Sequence, residues 1–290
     1  MGKDLIESYP EARAIFETAD STLGLPISKW CFEGPEEELK KTANTQPALL
    51  TVSVALGAIL KSRGYSFEAV AGHSLGAYSA LTVAGVIAFP EALRLVRRRG
   101  ELMEQVGAGR GTMAAVLGLS EEKIREACQS VAAQGVVEPA NVNCPGQVVI
   151  SGEKAAVAAA CEACKALGAK RAIELAVSGP FHCSLMKPAA ELFRPVLAET
   201  KFSAPQVTFF SDIDAVPLTD PEVIRESLVR QLLNPVQWIR VVEGLAAAGY
   251  GEFVEVGPGR VLGGLVGKIR KDLAVRSIGT AESIAQWSRG

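Results

Sequence analysis

One serine sits where a tight backbone turn would make it reactive, in the run Gly72-His73-Ser74-Leu75-Gly76. A short apolar strand, Ala69 to Ala71, leads into this Gly-x-Ser-x-Gly pattern, and Ala77, Ala80, Leu81, Val83 and Ala84 read as a small-residue helix behind it. Strand, sharp turn and helix make a nucleophile elbow. The turn is expected to leave no room for a Cβ at Gly72 or Gly76, to lift the Ser74 hydroxyl to the mouth of the sheet, and to aim the helix N-terminus at it. The N–H of Leu75 then becomes a ready oxyanion donor.

A serine hydroxyl is a weak nucleophile near neutral pH and needs a base. The chain has 2 histidines. His73 precedes Ser74 in a strand-like turn, so its side chain is expected to point away from the serine and act as a packed or hydrogen-bonded core imidazole. His182, presented after the Gly179-Pro180 turn, is the candidate base. In an α/β-hydrolase an Asp or Glu would fall between serine and histidine. No Asp lies between Asp20 and Asp212, which leaves only glutamates such as Glu174. A backbone carbonyl can fix the histidine tautomer instead, without adding negative charge, and that choice suits an anionic substrate.

Arg99 supplies the complementary feature. Between Glu91 and Glu104, Glu91, Arg94, Arg98 and Glu101 line a charged helix face, and Ala92, Leu95, Val96, Leu102 and Met103 an apolar one. Arg99 falls on the apolar stripe. A guanidinium there is costly unless an anion meets it, and its fork matches a carboxylate bidentately. An ion pair within the chain or snorkelling is the competing reading. Serine, histidine and a buried arginine together suggest transfer of an acyl group that carries a free carboxylate.

The elements that must hold these residues alternate between helix and strand. Helical spacing runs from Leu5 to Ala19, a short helix opens at Glu36 to Glu38, and Thr45-Gln46-Pro47 predicts a helix start with Pro near its first position, followed by a nearly all-apolar helix from Ala48 to Leu60. From Thr112 to Val177 the pattern becomes β-α-β-β-α-β, a ferredoxin-like unit whose central hairpin turns at Asn141 to Gly146. Further helices are expected from Leu185 to Glu199 and from Pro221 to Leu233, with strands at Val207–Phe210, Phe253–Val256 and Ala274–Ile278. The fold class is therefore α/β: an α/β-hydrolase-like core, residues 1–110 and 179–290, interrupted by a ferredoxin-like subdomain, residues 111–178.

Composition narrows the function. The 290 residues, 48% of them hydrophobic, can bury a full core. With 30 basic against 32 acidic residues and a net charge of −2, there is no electrostatic footprint for nucleic acid. No apolar run is read as membrane-spanning and no signal-peptide core follows Met1, so a cytoplasmic protein without a membrane partner is expected. The 6 cysteines are scattered, and Cys161-x-x-Cys164 has no second pair, so no metal site is expected.

Several segments together carry a family resemblance: Gly72-His73-Ser74-Leu75-Gly76, Arg97-Arg98-Arg99-Gly100, Asn143-Cys144-Pro145-Gly146-Gln147, Ser178-Gly179-Pro180-Phe181-His182 with Leu185-Met186-Lys187-Pro188, Gln231-Leu232-x-Asn234-Pro235-Val236-Gln237-Trp238, and Glu255-Val256-Gly257-Pro258-Gly259. In this order, over nearly the whole chain, they resemble the malonyl-CoA:acyl carrier protein transacylases of bacterial type II fatty acid synthesis. The resemblance implies a ping-pong transfer from malonyl-CoA through a malonyl ester on Ser74 to the phosphopantetheine thiol of acyl carrier protein, with no tightly bound cofactor. It implies His182 as base, Arg99 as clamp for the malonyl carboxylate, Leu75 N–H as oxyanion donor, and the Gln231 backbone carbonyl as the group that orients His182. It also places Gln46, Phe181 and Asn143 around the substrate, with Phe181 crowding its α-carbon, and a monomer is expected.

Two departures from the family pattern stand out. Ala77 follows Gly76 where the family usually has Glu. Family members also open with a strand ending in a Gly-Gln-Gly-Ser-Gln-like turn that donates to the oxyanion hole, whereas helical spacing begins directly after Met1 here. The expectation is a chain short of one strand and one donor, less stable and slower than a longer form. A thioesterase or other serine hydrolase acting on acyl-CoA, and a catalytically weak carrier-binding module, stay open as alternatives.

Overall fold

The computed structural model describes residues 1–287. It opens with five helices, α1 (Lys3–Ser8), α2 (Pro10–Leu23), α3 (Ile27–Glu33), α4 (Glu36–Lys40) and α5 (Thr42–Ser62), which lead to β1 (Ala69–Ala71), α6 (Leu75–Val83) and α7 (Phe89–Gly107). A second unit runs β2 (Thr112–Leu117), α8 (Glu121–Ser130), β3 (Val137–Cys144), β4 (Gln147–Gly152), α9 (Lys154–Ala166) and β5 (Arg171–Glu174). The chain then returns through α10 (Lys187–Glu199), β6 (Thr208–Phe210), β7 (Pro217–Leu218), α11 (Pro221–Gln231) and α12 (Trp238–Ala247), and ends with β8 (Glu252–Val256), α13 (Val261–Ile269), β9 (Ala274–Ile278) and α14 (Ala281–Trp287).

The helix expected from Ala48 starts earlier, at Thr42, so Pro47 lies inside it rather than at its first position. An interior proline removes the hydrogen bond to the carbonyl four residues back. That carbonyl belongs to Ala43, and Arg97 Nη1 donates to it at 3.2 Å. Gly100, one helix over, makes the contact close: a Cβ there would meet Ala43 Cα at 2.6 Å. Contrary to the sequence reading, α5 is long and apolar enough to cross a membrane, but Ala48, Leu50, Val52, Leu56, Ile59 and Leu60 are fully buried in the protein's own core.

Three sheets are formed among the described residues. β1 pairs with β6 in parallel and β6 with β7 antiparallel, while β8 and β9 form a separate parallel pair. Side chains from β1 and β8 alternate between the same two apolar clusters: Val70, Val254 and Val256 pack on the large helical core, and Ala69, Ala71 and Phe253 on the cluster around Val241 and Leu265. The two strands therefore share one layer between helices. The β2–β5 unit has its own core, including Ala114, Ile124, Ile150, Val157 and Cys164, under an antiparallel sheet of order β3-β4-β2-β5. It is sewn to the rest of the chain where Val142 N–H donates to Val236 and Val236 N–H to Ala140, at 2.8 and 2.9 Å.

Candidate active site

Ser74 lies between β1 and α6 at φ 52° and ψ −105°, a conformation that side-chain-bearing residues rarely adopt. Gly72 permits it, because a Cβ there would lie 2.0 Å from the Gly76 carbonyl carbon. The expectation for Gly76 fails: a Cβ on that residue would point into open space, since the close approach is of its backbone onto Gly72. Leu75 is the first residue of α6, so its N–H has no acceptor within the helix. Ala77 is fully buried in the apolar core behind the turn.

His182 also has a positive φ, 58°, and brings Nε2 to 2.8 Å from Ser74 Oγ. Its loop is held on both sides. Thr42 and Ser178 share a hydroxyl hydrogen bond of 2.8 Å, and Ser184 donates both its N–H and its hydroxyl to Glu138 on β3 at 2.8 Å. The other ring nitrogen, Nδ1, is 2.8 Å from the backbone carbonyl of Gln231. A carbonyl only accepts, so Nδ1 carries the proton and Nε2 presents its lone pair to Ser74. Burial first, and the nearby Arg99 charge second, push the imidazole down to about 3, leaving it a neutral base at physiological pH.

Arg99 is 1% exposed on the inner face of α7. Its Nη1 donates to Gln46 Oε1 at 2.8 Å, and its Nη2 to Ser74 Oγ at 3.0 Å and Gln231 Oε1 at 3.1 Å. The guanidinium carbon lies 5.2 Å from the Tyr78 ring centroid, and Nε has no hydrogen-bond partner. Among the described residues no carboxylate lies within ion-pair distance of it. Neighbouring Arg97 and Arg98 both pair with Glu101. A buried guanidinium bound only by neutral oxygens costs several kcal/mol of lost hydration and is a receptor for a carboxylate.

Other sequence candidates fall nearby or elsewhere. Gln46 is buried; its Oε1 accepts from Arg99 and its Nε2 donates to Met103 Sδ at 3.5 Å. Phe181 is half-buried and packs both on the large core and on the small cluster of Met113, Ala140 and Val149. Asn143 Oδ1 accepts from His73 Nε2 at 2.9 Å rather than touching Ser74. His73 itself packs against Trp238, ring centroids 5.8 Å apart, and burial pushes its imidazole down. Glu174 bonds Thr112 at the edge of the β2–β5 sheet and takes no part in orienting His182.

Asp212 was not anticipated. It is 2% exposed, and its Oδ2 accepts the Ser74 N–H at 2.9 Å. The β1–β6 register explains the meeting: Phe210 lies beside Ala71, so each chain continues two or three residues to bring Asp212 to Ser74. The Gln231 side chain joins them, its Nε2 donating to Ser74 O at 3.0 Å and to Asp212 Oδ1 and Oδ2 at 3.0 and 2.9 Å.

An elbow serine in bonding contact with a neutral histidine, beside an unpaired guanidinium, is the apparatus of a serine-based acyl transfer protein with a mixed α/β fold. The chain belongs to the acyl transferase domain family, which matches it over residues 1–290. It is 48% identical over 284 residues to the malonyl CoA-acyl carrier protein transacylase of Escherichia coli (strain K12), covering 97% of this chain and 92% of that one. Among solved structures, an acyl carrier protein S-malonyltransferase from Vibrio cholerae superposes with a TM-score of 0.97 at 45% identity, covering 99% of this chain and 94% of the other. A malonyl-transacylase solved in complex with its type II polyketide synthase acyl-carrier protein gives a TM-score of 0.96 at 46% identity, over 99% of this chain and 93% of its own.

Proposed function

We propose that the chain is a malonyl-CoA:acyl carrier protein transacylase. The observation that carries this reading is Arg99, buried without a carboxylate partner among the described residues and 3.0 Å from the Ser74 hydroxyl. Ser74 Oγ attacks the thioester carbonyl of malonyl-CoA while its proton passes to His182 Nε2, with the Leu75 N–H receiving the developing oxyanion. The carbon–sulfur bond breaks, the coenzyme A thiolate takes the proton from His182, and a malonyl ester remains on Ser74. In the return half the phosphopantetheine thiol of acyl carrier protein gives its proton to His182 and attacks the ester, and the Ser74 alkoxide leaves with that proton.

Arg99 receives the malonyl carboxylate throughout, with Gln46 fixing one arm of the guanidinium and Gln231 the other. The Gln231 carbonyl stabilises the imidazolium formed in each half without placing a second anion beside the substrate. Phe181 limits bulk at the substrate α-carbon, and Asn143 holds His73 next to Ser74 at the elbow. The architecture is read as an α/β-hydrolase-like core, residues 1–110 and 179–290, with a ferredoxin-like subdomain over 111–178. The strand order β3-β4-β2-β5 and the separate apolar core support that division. The protein works in the cytoplasm as a monomer, for fatty acid or polyketide synthesis.

Incubation with malonyl-CoA and a carrier protein bearing phosphopantetheine tests the reading. Malonyl-carrier is the expected product; free malonate at the same rate with or without the carrier would make the protein a thioesterase.

A further inference from the structure

The mechanism above leaves the buried Asp212 carboxylate unused. Its surroundings are unusually one-sided. Oδ2 accepts from the Ser74 N–H and from Gln231 Nε2, and Oδ1 accepts from Gln231 Nε2. Every neighbour bonded to the two oxygens is a donor, so a proton on either oxygen would face an N–H and break a hydrogen bond. The same Gln231 amide also carries Ser74 O and Arg99 Nη2, and its backbone carbonyl carries His182. One carboxylate thus fixes the strained turn of the nucleophile and, through Gln231, both partners of its hydroxyl.

Resting on the transferase reading, we propose that Asp212 is a positioning residue for the transfer: as a carboxylate it holds the Ser74 backbone and the Gln231 amide, and protonation releases that hold. The charged and titratable groups that act on it are Arg99 from α7 and Tyr78 from α6; His182 is one step removed, on the Gln231 carbonyl, and Asp214, on its own segment, is tied to Arg230. Burial pushes the Asp212 carboxyl up to about 6, against the pull of Gln231, the Ser74 N–H and Arg99. His182 stays neutral well below that pH, so the two groups release their protons in separate ranges. Acylation is therefore lost as pH falls through about 6 because Asp212 takes up a proton, not because the base does.

Single-turnover acylation by malonyl-CoA, followed by intact mass from pH 5 to pH 8, tests this on wild type, Asp212→Asn and Asp212→Val, with a thermal melt of each. Wild type is expected to slow by about tenfold per pH unit below the midpoint, as a single protonation requires. Asp212→Asn, like the protonated acid, keeps one acceptor but turns a donor toward donors, so it is expected to acylate at every pH at about the rate wild type reaches at pH 5, roughly tenfold below wild type at pH 8, with no acid limb near pH 6. Asp212→Val, with no acceptor, is expected to fall by about a hundredfold or more at every pH. A wild-type profile flat down to pH 5, an acid limb retained in Asp212→Asn, or a folded Asp212→Val acylated at the wild-type rate would each overturn the proposal. If Asp212→Val does not fold, the Asp212→Asn profile still decides. Wild type that is never acylated would instead overturn the transferase reading, and this inference with it.

Discussion

Two histidines flank the elbow, and the contrast between their surroundings separates reactive from structural polarity. His182 is buried and His73 half-buried, and desolvation pushes both imidazoles down. On the His182 side the polar atoms converge: Ser74 Oγ, the Gln231 carbonyl and the Arg99 guanidinium all meet around one imidazole. On the His73 side the ring ends at Asn143 of β3 and the face of Trp238, tying the β2–β5 unit to the turn. Burial alone thus does not mark a catalytic group. What distinguishes His182 is a lone pair aimed at a hydroxyl whose other neighbour is a guanidinium with no carboxylate in ion-pair contact among the described residues.

The comparison can be broken first by removing each ring. His182→Ala should slow Ser74 acylation by about 10²–10⁴-fold, the usual contribution of base catalysis, as read in a stopped-flow or quenched assay. Loss of comparable size in His73→Ala, with His182→Ala unaffected, would reverse the assignment. Next in size, Arg99→Ala should cost about 2–5 kcal/mol in kcat/KM for malonyl-CoA and much less for acetyl-CoA, which has no carboxylate to lose. Equal losses with the two thioesters would make Arg99 a structural residue.

Smaller effects sharpen the other side of the contrast. His73→Ala removes the hydrogen bond to Asn143 and leaves its buried oxygen unpaired, so about 1–3 kcal/mol of stability should go, seen as a lower Tm. Its acylation rate should change far less than that of His182→Ala. On the outer face of α7, Arg98 is exposed and pairs with Glu101 at 3.4 Å. Arg98→Ala should change stability by no more than about 0.5 kcal/mol and leave acylation alone, which urea melts and the same rate assay would check.

Much of this site is local in the chain and so was legible there. The Gly-x-Ser-x-Gly run, the apolar helix face that carries Arg99, and the absence of any Asp between Ser74 and His182 are all read directly along the chain. Asp212 and the Gln231 side chain were not, because they reach Ser74 from 138 and 157 residues away through a strand register that no local pattern encodes. The one available signal was a polar residue just past the apolar strand Val207–Phe210, where a strand parallel to the elbow delivers side chains to its rim. The early start of α5 was hidden for a similar reason: Pro47 is tolerated inside the helix because Arg97, on another helix, takes the Ala43 carbonyl. Helix α12 carries Trp238, Val241, Val242 and Leu245 on one buried face, a helical spacing that the sequence reading passed over.

The central claim is that Ser74 takes up a malonyl group and yields it to a thiol in preference to water. Brief exposure to malonyl-CoA, followed by intact and peptide mass spectrometry with and without a pantetheine thiol, measures both halves at once. A stoichiometric malonyl ester on the Ser74 peptide, absent from Ser74→Ala and discharged much faster by the thiol than by buffer, is the predicted result. No ester, an ester on another residue, or discharge that the thiol does not accelerate would contradict it.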